Sequence, residues 1–486
     1  MKKIHSLVLV GMMICTSLCS CGESKENTNT STGNTNTGSN SISAYTYATE
    51  TDTEESTVIE EGTPVTFEDT EFQKFIAKQL GISSGVTITD KMCESITELE
   101  CSKVHLTTLA DLKMFPNLTK LYVDNLGYEL ELKGINKVTN LTSLTLKNCG
   151  LSEVDRIAEL TKLEYLDISG RKNVIDYSTL SALSNLKYLD ISGDGYNKFS
   201  LVDGSFINSL TNLEELNIYH VSIDKYSFVK LKNLRSLTIG NCHADNVLKQ
   251  LCDSGGITSL EKFDLYDSEG SVFDDRNVYQ NLTNDGIKKY LSKAVNLKFL
   301  KINHNMYNIT SLEGIGNLKN LEVLYLNTNN AFQLPLSAYN ELSKLTNLKK
   351  LTLEGSVTEE ARVNNKTITP NDYAFLNKMT SLEVLCIEAY DSMAIECFTG
   401  LSNLKVLALW GNHGEYNDEV DIKGIEKLTS LKELHHHKFR FKSTAPLDDL
   451  DNLVVTEEHL GDYQKFNEKY IFSDEYLSDT ENATTT

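Results

Sequence analysis

The chain has 486 residues, 40% of them apolar, so it can bury a large core but is too long to build that core around one compact centre. Its formal net charge is −22, and such a surface repels phosphate groups. We therefore expect no nucleic-acid partner, and either several domains or a repeat array.

The first twenty residues have the features of an export signal. Lys2 and Lys3 give it a positive start, and residues 7–18 form an apolar run too short to span a bilayer. The stretch Leu18-Cys19-Ser20-Cys21 at the end of this run resembles a bacterial lipobox, which implies cleavage before Cys21 and attachment of lipid to that residue. We predict a signal peptide at 1–20 and lipidation at Cys21. Ordinary secretory cleavage near Ser20 is the alternative.

Residues 21–62 are Ser, Thr, Asn, Gly and Glu with almost no large apolar side chains, a composition typical of a disordered tether. In residues 63–95, Phe72, Phe75, Ile76 and Leu80 recur at helical spacing, and Gly81 follows as a stop signal. The pattern predicts a helix over Glu68–Leu80, which we interpret as an N-terminal cap on the repeats that follow. Residues 461–486 are expected to form an acidic C-terminal tail.

Residues 96–460 are periodic, and the period decides the fold class. The opening apolar-x-x-apolar-x-apolar recurs at steps of mostly 21 to 27 residues. Fourteen units start at Ile96, Leu118, Leu141, Leu163, Leu186, Leu213, Leu234, Leu260, Leu297, Leu321, Leu348, Leu382, Leu404 and Leu431, with a degenerate fifteenth at Leu453. The pattern predicts an α/β leucine-rich-repeat solenoid, a horseshoe with a parallel β-sheet on its concave face. Long steps after Leu260 and Leu348 predict insertions, the first with an added helix.

The repeats resemble those of internalin-like bacterial surface proteins over roughly residues 65 to 460. The resemblance rests on segments such as NLTSLTLKNCGLSEVDRIAEL (140–160) and ITSLEGIGNLKNLEVLYLNTNN (309–330). It implies a curved solenoid used for protein recognition. Unlike the internalins, this sequence shows no recognisable immunoglobulin-like module or cell-wall sorting signal after the repeats, so the resemblance does not extend to an invasion role.

Within the family pattern, one Asn or Cys per unit points inward and hydrogen-bonds the turn backbone. Counting places Cys149, Cys242, Asn305, Asn329 and Asn412 there, which predicts structural rather than disulfide or metal roles for the two cysteines. Cys101 takes a core strand position in the first unit. Cys386 lies between two inward residues and is expected to face the concave side.

The binding face follows from the two-residue period of a strand, because side chains between the inward leucines must point out of the concave side. These positions carry aromatic residues in eight of the fourteen units, together with charged side chains suited to orienting contacts. The predicted ligand-binding residues are Tyr122, Tyr165, Tyr188, Tyr219, Tyr266, Phe299, Tyr325, Trp410, Asp167, Asp190, Asp264, Lys262 and Lys301. The alternative is that tyrosine simply favours strands.

Two polar clusters have alternative interpretations. His435-His436-His437 is compatible with a metal site, or with a degenerate terminal strand in which His436 replaces an apolar residue. The acidic residues Asp267, Glu269, Asp274 and Asp275 lack the spacing of a calcium loop and are expected to be solvated. The sequence contains no familiar catalytic motif, so we expect no enzyme activity, no cofactor and no metal.

The sequence therefore predicts an exported protein, anchored by lipid to the bacterial cell membrane and exposed at the cell surface. It is expected to recognise a protein partner, on a host or a neighbouring cell, through its concave face. Capture of a glycan by the same aromatic residues is the alternative, and an enzyme or enzyme-regulatory subunit is a further one.

Overall fold

The structure is a computed structural model. It describes residues 62–82, 86–102, 104–125, 127–170, 176–194, 201–240, 242–266, 282–303, 309–327, 335–354, 374–389, 395, 399–411, 419–437, 440–459 and 462–473. The predicted export signal, the predicted lipidation site Cys21, nearly all of the predicted tether and most of both predicted insertions lie outside these residues.

Short strands recur once or twice per repeat. In chain order they are β1 (Glu98–Cys101), β2 (Lys120–Asp124), β3 (Glu129–Leu130), β4 (Ser143–Lys147), β5 (Gly150–Leu151), β6 (Tyr165–Asp167), β7 (Tyr188–Asp190), β8 (Leu201–Asp203), β9 (Glu215–Ile218), β10 (Ser222–Asp224), β11 (Ser236–Gly240), β12 (Lys262–Tyr266), β13 (Phe299–Asn303), β14 (Val323–Asn327), β15 (Lys350–Glu354), β16 (Val384–Ala389), β17 (Val406–Gly411), β18 (Glu419–Val420), β19 (Glu433–His437), β20 (Arg440–Phe441) and β21 (Val454–Glu457).

Fifteen of these strands form one parallel sheet, in the order β1-β2-β4-β6-β7-β9-β11-β12-β13-β14-β15-β16-β17-β19-β21. One strand comes from each predicted unit, including the degenerate unit at Leu453. The remaining strands pair two by two beside the sheet, as β3 with β5, β8 with β10, and β18 with β20. The prediction of a leucine-rich-repeat solenoid with a parallel sheet is confirmed.

Chain segments between the strands are mostly short 3₁₀ helices. They span Ala110–Met114, Ile135–Lys137, Val154–Glu159, Ser178–Ala182, Ser205–Ser209, Gly256–Ser259, Leu291–Lys293, Ile315–Asn317, Leu336–Lys344, Leu376–Lys378, Ile425–Lys427 and Ala445–Leu447. The α-helices are α1 (Thr70–Gln79), α2 (Asp90–Glu94), α3 (Ala244–Ser254), α4 (Asn284–Lys289) and α5 (Asp462–Phe466), and a π turn follows α5 at Asn467–Ile471. The helix predicted in the first insertion corresponds to α4.

Helix α1 begins two residues after its predicted start and ends one residue before its predicted end. The Asp69 carboxylate accepts hydrogen bonds from the backbone N–H groups of Glu71 and Phe72, which caps the helix. Gly81 adopts a left-handed backbone just after it, with φ of +66°. Phe72 and Ile76 are buried in the same apolar core as the first repeats. A capping role for residues 63–95 stays a prediction.

Strand pairing places the repeat leucines in register. Leu144, Leu166 and Leu189 stand opposite one another on β4, β6 and β7, and each is fully buried. Because side chains alternate along a strand, the residues between these leucines lie on the opposite face of the sheet, which we call the outward face. Each sheet strand has up to three outward positions, at its first, third and fifth residues in the register of β12 (Lys262, Asp264, Tyr266).

An amide ladder ties successive repeats together before each strand. The Asn that precedes the first leucine of a unit donates its side-chain N–H to a backbone carbonyl of the preceding unit, at 2.7 to 3.0 Å between nitrogen and oxygen. Its members are Asn117, Asn140, Asn185, Asn212, Asn296, Asn320, Asn347 and Asn403. Ser259 and Ser430 make the equivalent bond with a hydroxyl, and the Ser381 hydroxyl donates to the carbonyl of Leu348. The sequence analysis missed this ladder, although the recurrent Asn-Leu pair signals it.

A row of charges runs beside the amide ladder, at the residue immediately before the first outward position. Its sign alternates over ten successive sheet strands, from β6 to β17. The row is Glu164, Lys187, Glu214, Arg235, Glu261, Lys298, Glu322, Lys349, Glu383 and Lys405. Neighbours form ion pairs, for example Lys187 with Glu164 at 2.7 Å and Lys405 with Glu383 at 2.6 Å. Hydrogen bonds from Lys298 and Arg235 hold the pKa of Glu261 below its usual value.

The inward Asn or Cys position is confirmed where the structure describes it. Cys149 and Cys242 are buried, and the Cys149 thiol donates to the carbonyl of Lys147 at 3.3 Å. Cys101 is buried in the first unit, as predicted. The second unit departs from the count, because Asn125 lies one residue early and exchanges two hydrogen bonds with the backbone of Leu106. Asn305, Asn329 and Asn412 lie outside the described residues.

Candidate functional site on the outward face

Strand register places all thirteen predicted ligand-binding residues on the outward face. The first outward positions hold Tyr165, Tyr188, Lys262 and Phe299, and the third residues hold Tyr122, Asp167, Asp190, Asp264, Lys301 and Tyr325. Tyr219, Tyr266 and Trp410 occupy the fifth. Their surroundings divide them into two groups. From β2 to β12 no other described part of the chain lies over the outward face, and we call this the open half; from β13 to β19, the covered half, part of the chain itself lies over it.

The open half contains a tyrosine stack. Tyr165 and Tyr188 stand opposite each other on β6 and β7, and their rings are parallel within 9° at a centroid distance of 4.1 Å. The Asn217 amide donates to the Tyr188 hydroxyl at 3.3 Å. Burial raises the pKa of Tyr165 to about 12 and that of Tyr188 higher still, so both hydroxyls remain protonated donors. The pair is held rigid before any ligand arrives.

Two carboxylates lie beside this stack. Asp167 and Asp190 are opposite each other in the register, and each accepts a hydrogen bond from the backbone N–H two residues later, at Ser169 (2.9 Å) and Ser192 (2.8 Å). Burial, followed by the negative charge of Asp167, raises the pKa of Asp190 to about 6. Two like charges side by side in a partly dehydrated site favour binding of a cation.

A second aromatic group lies further along the open half. The rings of Tyr219 and Tyr266 are 4.3 Å apart, and His220 packs its edge against both. Burial raises the pKa of the Tyr219 hydroxyl well above its ordinary value. Tyr122 is half-buried on β2, where burial also raises its pKa.

Two lysines mark the boundary between the halves. The Lys301 amine is 3.4 Å from the Asp264 carboxylate and lies over the ring of Tyr325 and over that of Phe472, at 5.9 and 5.0 Å from their centroids. Lys262 lies 5.5 Å from the centroid of Phe299. The contacts of Lys301 pair its charge within the chain, whereas Lys262 has a ring contact, and a ligand-binding role for either lysine stays a prediction.

The covered half is occupied by residues 462–473, which we call the C-terminal segment. Its side chains Phe466, Tyr470 and Ile471 are buried in an apolar cluster with outward residues of β16 and β17. The outward members of this cluster are Val384, Cys386, Val406, Ala408 and Trp410. The expectation of an acidic tail over 461–486 thus misses a folded portion. The segment packs because its aromatic side chains have a complementary apolar surface to cover.

Polar contacts fix the segment in its middle and at its C-terminal end. The hydroxyl of Thr352 donates to the side-chain oxygen of Asn467 at 3.0 Å, in a buried position. The Lys350 amine donates to the backbone carbonyl of Ser473, and the Tyr470 hydroxyl donates to Glu433. The segment therefore pairs the buried amine of Lys350 and the buried hydroxyl of Thr352.

Three predicted binding residues lie under or against this segment. Tyr325 and Trp410 are each only 6% exposed, and Trp410 contacts the rings of Tyr463 and Phe466. Phe299 packs against Phe472, with ring centroids 6.0 Å apart. Large apolar side chains at outward positions suggested a ligand, and the chain's own C-terminal segment covers them instead. An external ligand cannot reach Tyr325 or Trp410 in this arrangement.

The histidine run is a strand, β19, as one interpretation expected. His435 and His437 lie on the outward face and are buried, while His436 stands opposite Leu409 at an inward position. His435 Nδ1 is 2.7 Å from Glu458, and its ring packs on Phe466 and Tyr470. In the described part of the chain, no group of three or more His, Cys, Asp or Glu side chains is arranged to hold a metal ion. The acidic cluster at 267–275 lies outside that part.

Cys386 faces outward, as predicted, opposite Thr352 and Ala408. It is fully buried there, and burial raises the pKa of its thiol. A signal for the covering segment was present in the sequence. Phe466, Tyr470 and Ile471 follow helical spacing, and the first and third outward positions of β16 and β17 are apolar (Val384, Cys386, Val406 and Ala408), whereas those of β6 and β7 are Tyr and Asp.

Across the described residues, we find no helix with both the length and the apolar character needed to cross a membrane. The sequence matches no family model, and no curated protein matches it.

Solved structures share the fold. An internalin from Listeria monocytogenes is 20% identical and superposes with a TM-score of 0.53 over 83% of this chain and 100% of its own. A leucine-rich-repeat protein from Leptospira interrogans is 19% identical, with a TM-score of 0.47 over 76% of this chain and 85% of its own. A functional domain of a second Listeria monocytogenes internalin is 18% identical, with a TM-score of 0.48 over 80% of this chain and 79% of its own. The first likeness shows that this chain has the leucine-rich-repeat fold found in internalins.

Proposed function

We propose that this chain is a lipid-anchored surface protein that binds a protein partner through the open half of its outward face, from β2 to β12, and that it carries out no catalysis. The observation that carries the proposal is the pre-ordered tyrosine and aspartate surface on β6 and β7. A stacked pair 4.1 Å apart has already lost its side-chain freedom, so a partner that binds it loses little further entropy. Tyrosine is among the residue types enriched at the few positions that dominate the binding energy of protein interfaces.

The surface also indicates the chemistry of the partner. Asp167 and Asp190 form a pair of carboxylates beside the two rings, and the chain carries a net charge of −22. A Lys or Arg side chain would bind both carboxylates and contact the ring edges. We therefore expect a partner with basic residues at the contact, and long-range attraction that speeds its approach.

Ring geometry favours a protein over a glycan. A sugar binds by laying its C–H groups on an open aromatic face. Tyr165 and Tyr188 each cover one face of the other's ring, and Tyr219 and Tyr266 are similarly close. The pairs therefore offer less open ring face than four separate tyrosines would, and their ring edges and hydroxyl groups suit the mixed polar and apolar surface of a protein.

The binding test replaces the four open tyrosines together. Tyr165, Tyr188, Tyr219 and Tyr266 are changed to Ser in the purified protein, and capture of surface proteins from candidate cells is quantified by mass spectrometry. We expect at least a tenfold loss of capture, about the effect of removing one interface hot spot. Tyr128→Ser is the matched control, because Tyr128 is 57% exposed and lies outside the sheet. Undiminished capture by a folded quadruple variant would place the site elsewhere.

The proposed anchor is tested separately. Radiolabelled palmitate should enter the wild-type protein and not Cys21→Ala, because Cys21 alone follows the Leu-x-Ser context at the end of the apolar run. Equal labelling of both proteins would contradict lipid attachment at this residue.

A further inference from the structure

We propose that residues 462–473 form a displaceable latch over a second binding surface, on the outward face of β14–β17 and β19, which accepts a short amphipathic helical turn with aromatic side chains. The occupant in this structure is the chain's own C-terminal segment. This inference does not depend on the partner proposed for the open half, because the two surfaces use different residues.

The shape of the second surface is specific for such an occupant. Along the third residues of the strands, Thr352, Cys386 and Ala408 form a row of small side chains between the larger Tyr325 and His435. Such a row leaves a trough one side chain deep, with an aromatic wall at each end. Phe466, Tyr470 and Ile471 fill it and bury completely or nearly so. No such row of three small side chains occurs on the described strands from β6 to β9, where Asp167, Asp190 and Asn217 occupy these positions.

The rim of the trough supplies polar contacts that orient the occupant. On β15, Lys350 binds the carbonyl of Ser473 and Thr352 donates to Asn467; on β19, at the other end, Glu433 accepts from the Tyr470 hydroxyl. An apolar floor with a few placed polar groups is the arrangement by which proteins recognise helical peptides.

The attachment of the latch is local. Phe466, Tyr470 and Ile471 belong to an apolar cluster separate from the continuous core of the repeats. The fifteen sheet strands pair with one another, and the segment adds no strand to them. Its second turn is a π turn, closed by the bond from the Phe472 N–H to the Asn467 carbonyl at 2.8 Å, a form that is rare in proteins. Such a unit opens at a lower free energy than the repeats beneath it.

Two native side chains report the opening. Cys386 is fully buried beneath the segment, and Trp410, the single tryptophan of the chain, packs against Tyr463 and Phe466. Cys149 is the internal comparison. It is also fully buried, burial also raises the pKa of its thiol, and it lies in the core of the repeats. A reagent can reach either thiol only after part of the protein opens. For Cys386 it is enough that the latch moves, whereas for Cys149 the repeats themselves must open.

The first experiment measures alkylation of the reduced wild-type protein by N-ethylmaleimide, resolved for each cysteine by mass spectrometry. We expect Cys386 to react at least about tenfold faster than Cys149, because local opening precedes unfolding of the repeats. Equal rates for the two thiols would overturn the proposal, since the segment would then leave only when the repeats unfold.

The second experiment uses Phe466→Ala with Tyr470→Ala, and Gln464→Ala on the exposed side of α5 as the matched control. The double variant should label Cys386 a further tenfold or more faster, shift Trp410 emission to longer wavelength and leave Cys149 labelling unchanged. A fluorescent peptide with the sequence of residues 462–473 should bind the double variant and not the wild type or the control, and a scrambled peptide should bind none. If Trp410 becomes exposed in the double variant but the peptide does not bind, the proposal of a second binding surface is overturned.

Discussion

The open and covered halves of the outward face differ in what their strands present at equivalent positions. At the third residue of the strand, the open half places Asp167 and Asp190, and the covered half places Cys386 and Ala408. The inward positions of the same strands carry buried leucine in both halves. Repetition of the core therefore determines which way a side chain points, while the non-repeating outward residue determines whether water, a partner or the chain itself lies against it.

The largest expected effect tests whether the two halves share one core. Leu189→Ala in the open half and Leu407→Ala in the covered half should each lower the free energy of unfolding by about 2–5 kcal/mol, because each leucine is fully buried and leaves a cavity. Urea denaturation followed by circular dichroism measures both. Lys230→Ala, an exposed change, should stay within about 0.5 kcal/mol of wild type. A much smaller cost for Leu407 would mean that the covered half depends on its segment rather than on its repeats.

A smaller effect concerns the charge confined to the open half. Asp190 has a folded pKa of about 6, raised by burial and by Asp167. Its unfolded pKa is about 3.9, so the folded state holds the proton more tightly, and stability falls as pH rises from about 4 to 6. Asp190→Asn removes this cost and should be more stable than wild type at pH 8 by about 1–3 kcal/mol.

Melting curves from pH 4 to 8 check this prediction. The advantage of Asp190→Asn should shrink as the pH falls through 6 and be nearly gone at pH 4, where the folded carboxyl is protonated and the unfolded one is about half protonated. The isosteric Asn keeps an oxygen that can accept from the Ser192 N–H, so the variant retains that hydrogen bond and differs from wild type in charge. An advantage that does not depend on pH would contradict a strained acid pair in the open half.

The smallest effect concerns a feature that both halves share. Glu383→Lys places three positive charges in succession with Lys349 and Lys405, and should cost about 0.5–1 kcal/mol at low salt, since the side chains are partly exposed. Glu214→Lys in the open half should cost a similar amount, between Lys187 and Arg235. Both losses should fall in 1 M NaCl, where the Debye length is about 3 Å. Salt-independent losses would point to packing rather than charge.

Local pattern accounts for most of what the sequence predicted. The starts of the fifteen units, the burial of Cys149 and the outward direction of Tyr188 all follow from repeat spacing and strand alternation, which require no knowledge of distant contacts. The covering of Trp410 does not follow, because it depends on Phe466, 56 positions later in a segment that repeats nothing. Counting residues along the repeat also missed Asn125. Its side chain lies one residue earlier than the family pattern predicts, and the turn adjusts so that it still bonds the backbone of Leu106.

Because the charge row alternates in sign, adding or removing one repeat differs electrostatically from adding or removing two. Loss of the single strand β9 would bring Lys187 beside Arg235, two like charges in adjacent strands, whereas loss of β9 and β11 together would bring Lys187 beside Glu261. From Glu164 to Lys405, units can thus be removed or duplicated in pairs without electrostatic cost and singly only against repulsion. For the same reason, pairing a strand with the wrong neighbour is disfavoured more when one strand is skipped than when two are skipped. The charge row therefore favours changes of two repeats over changes of one.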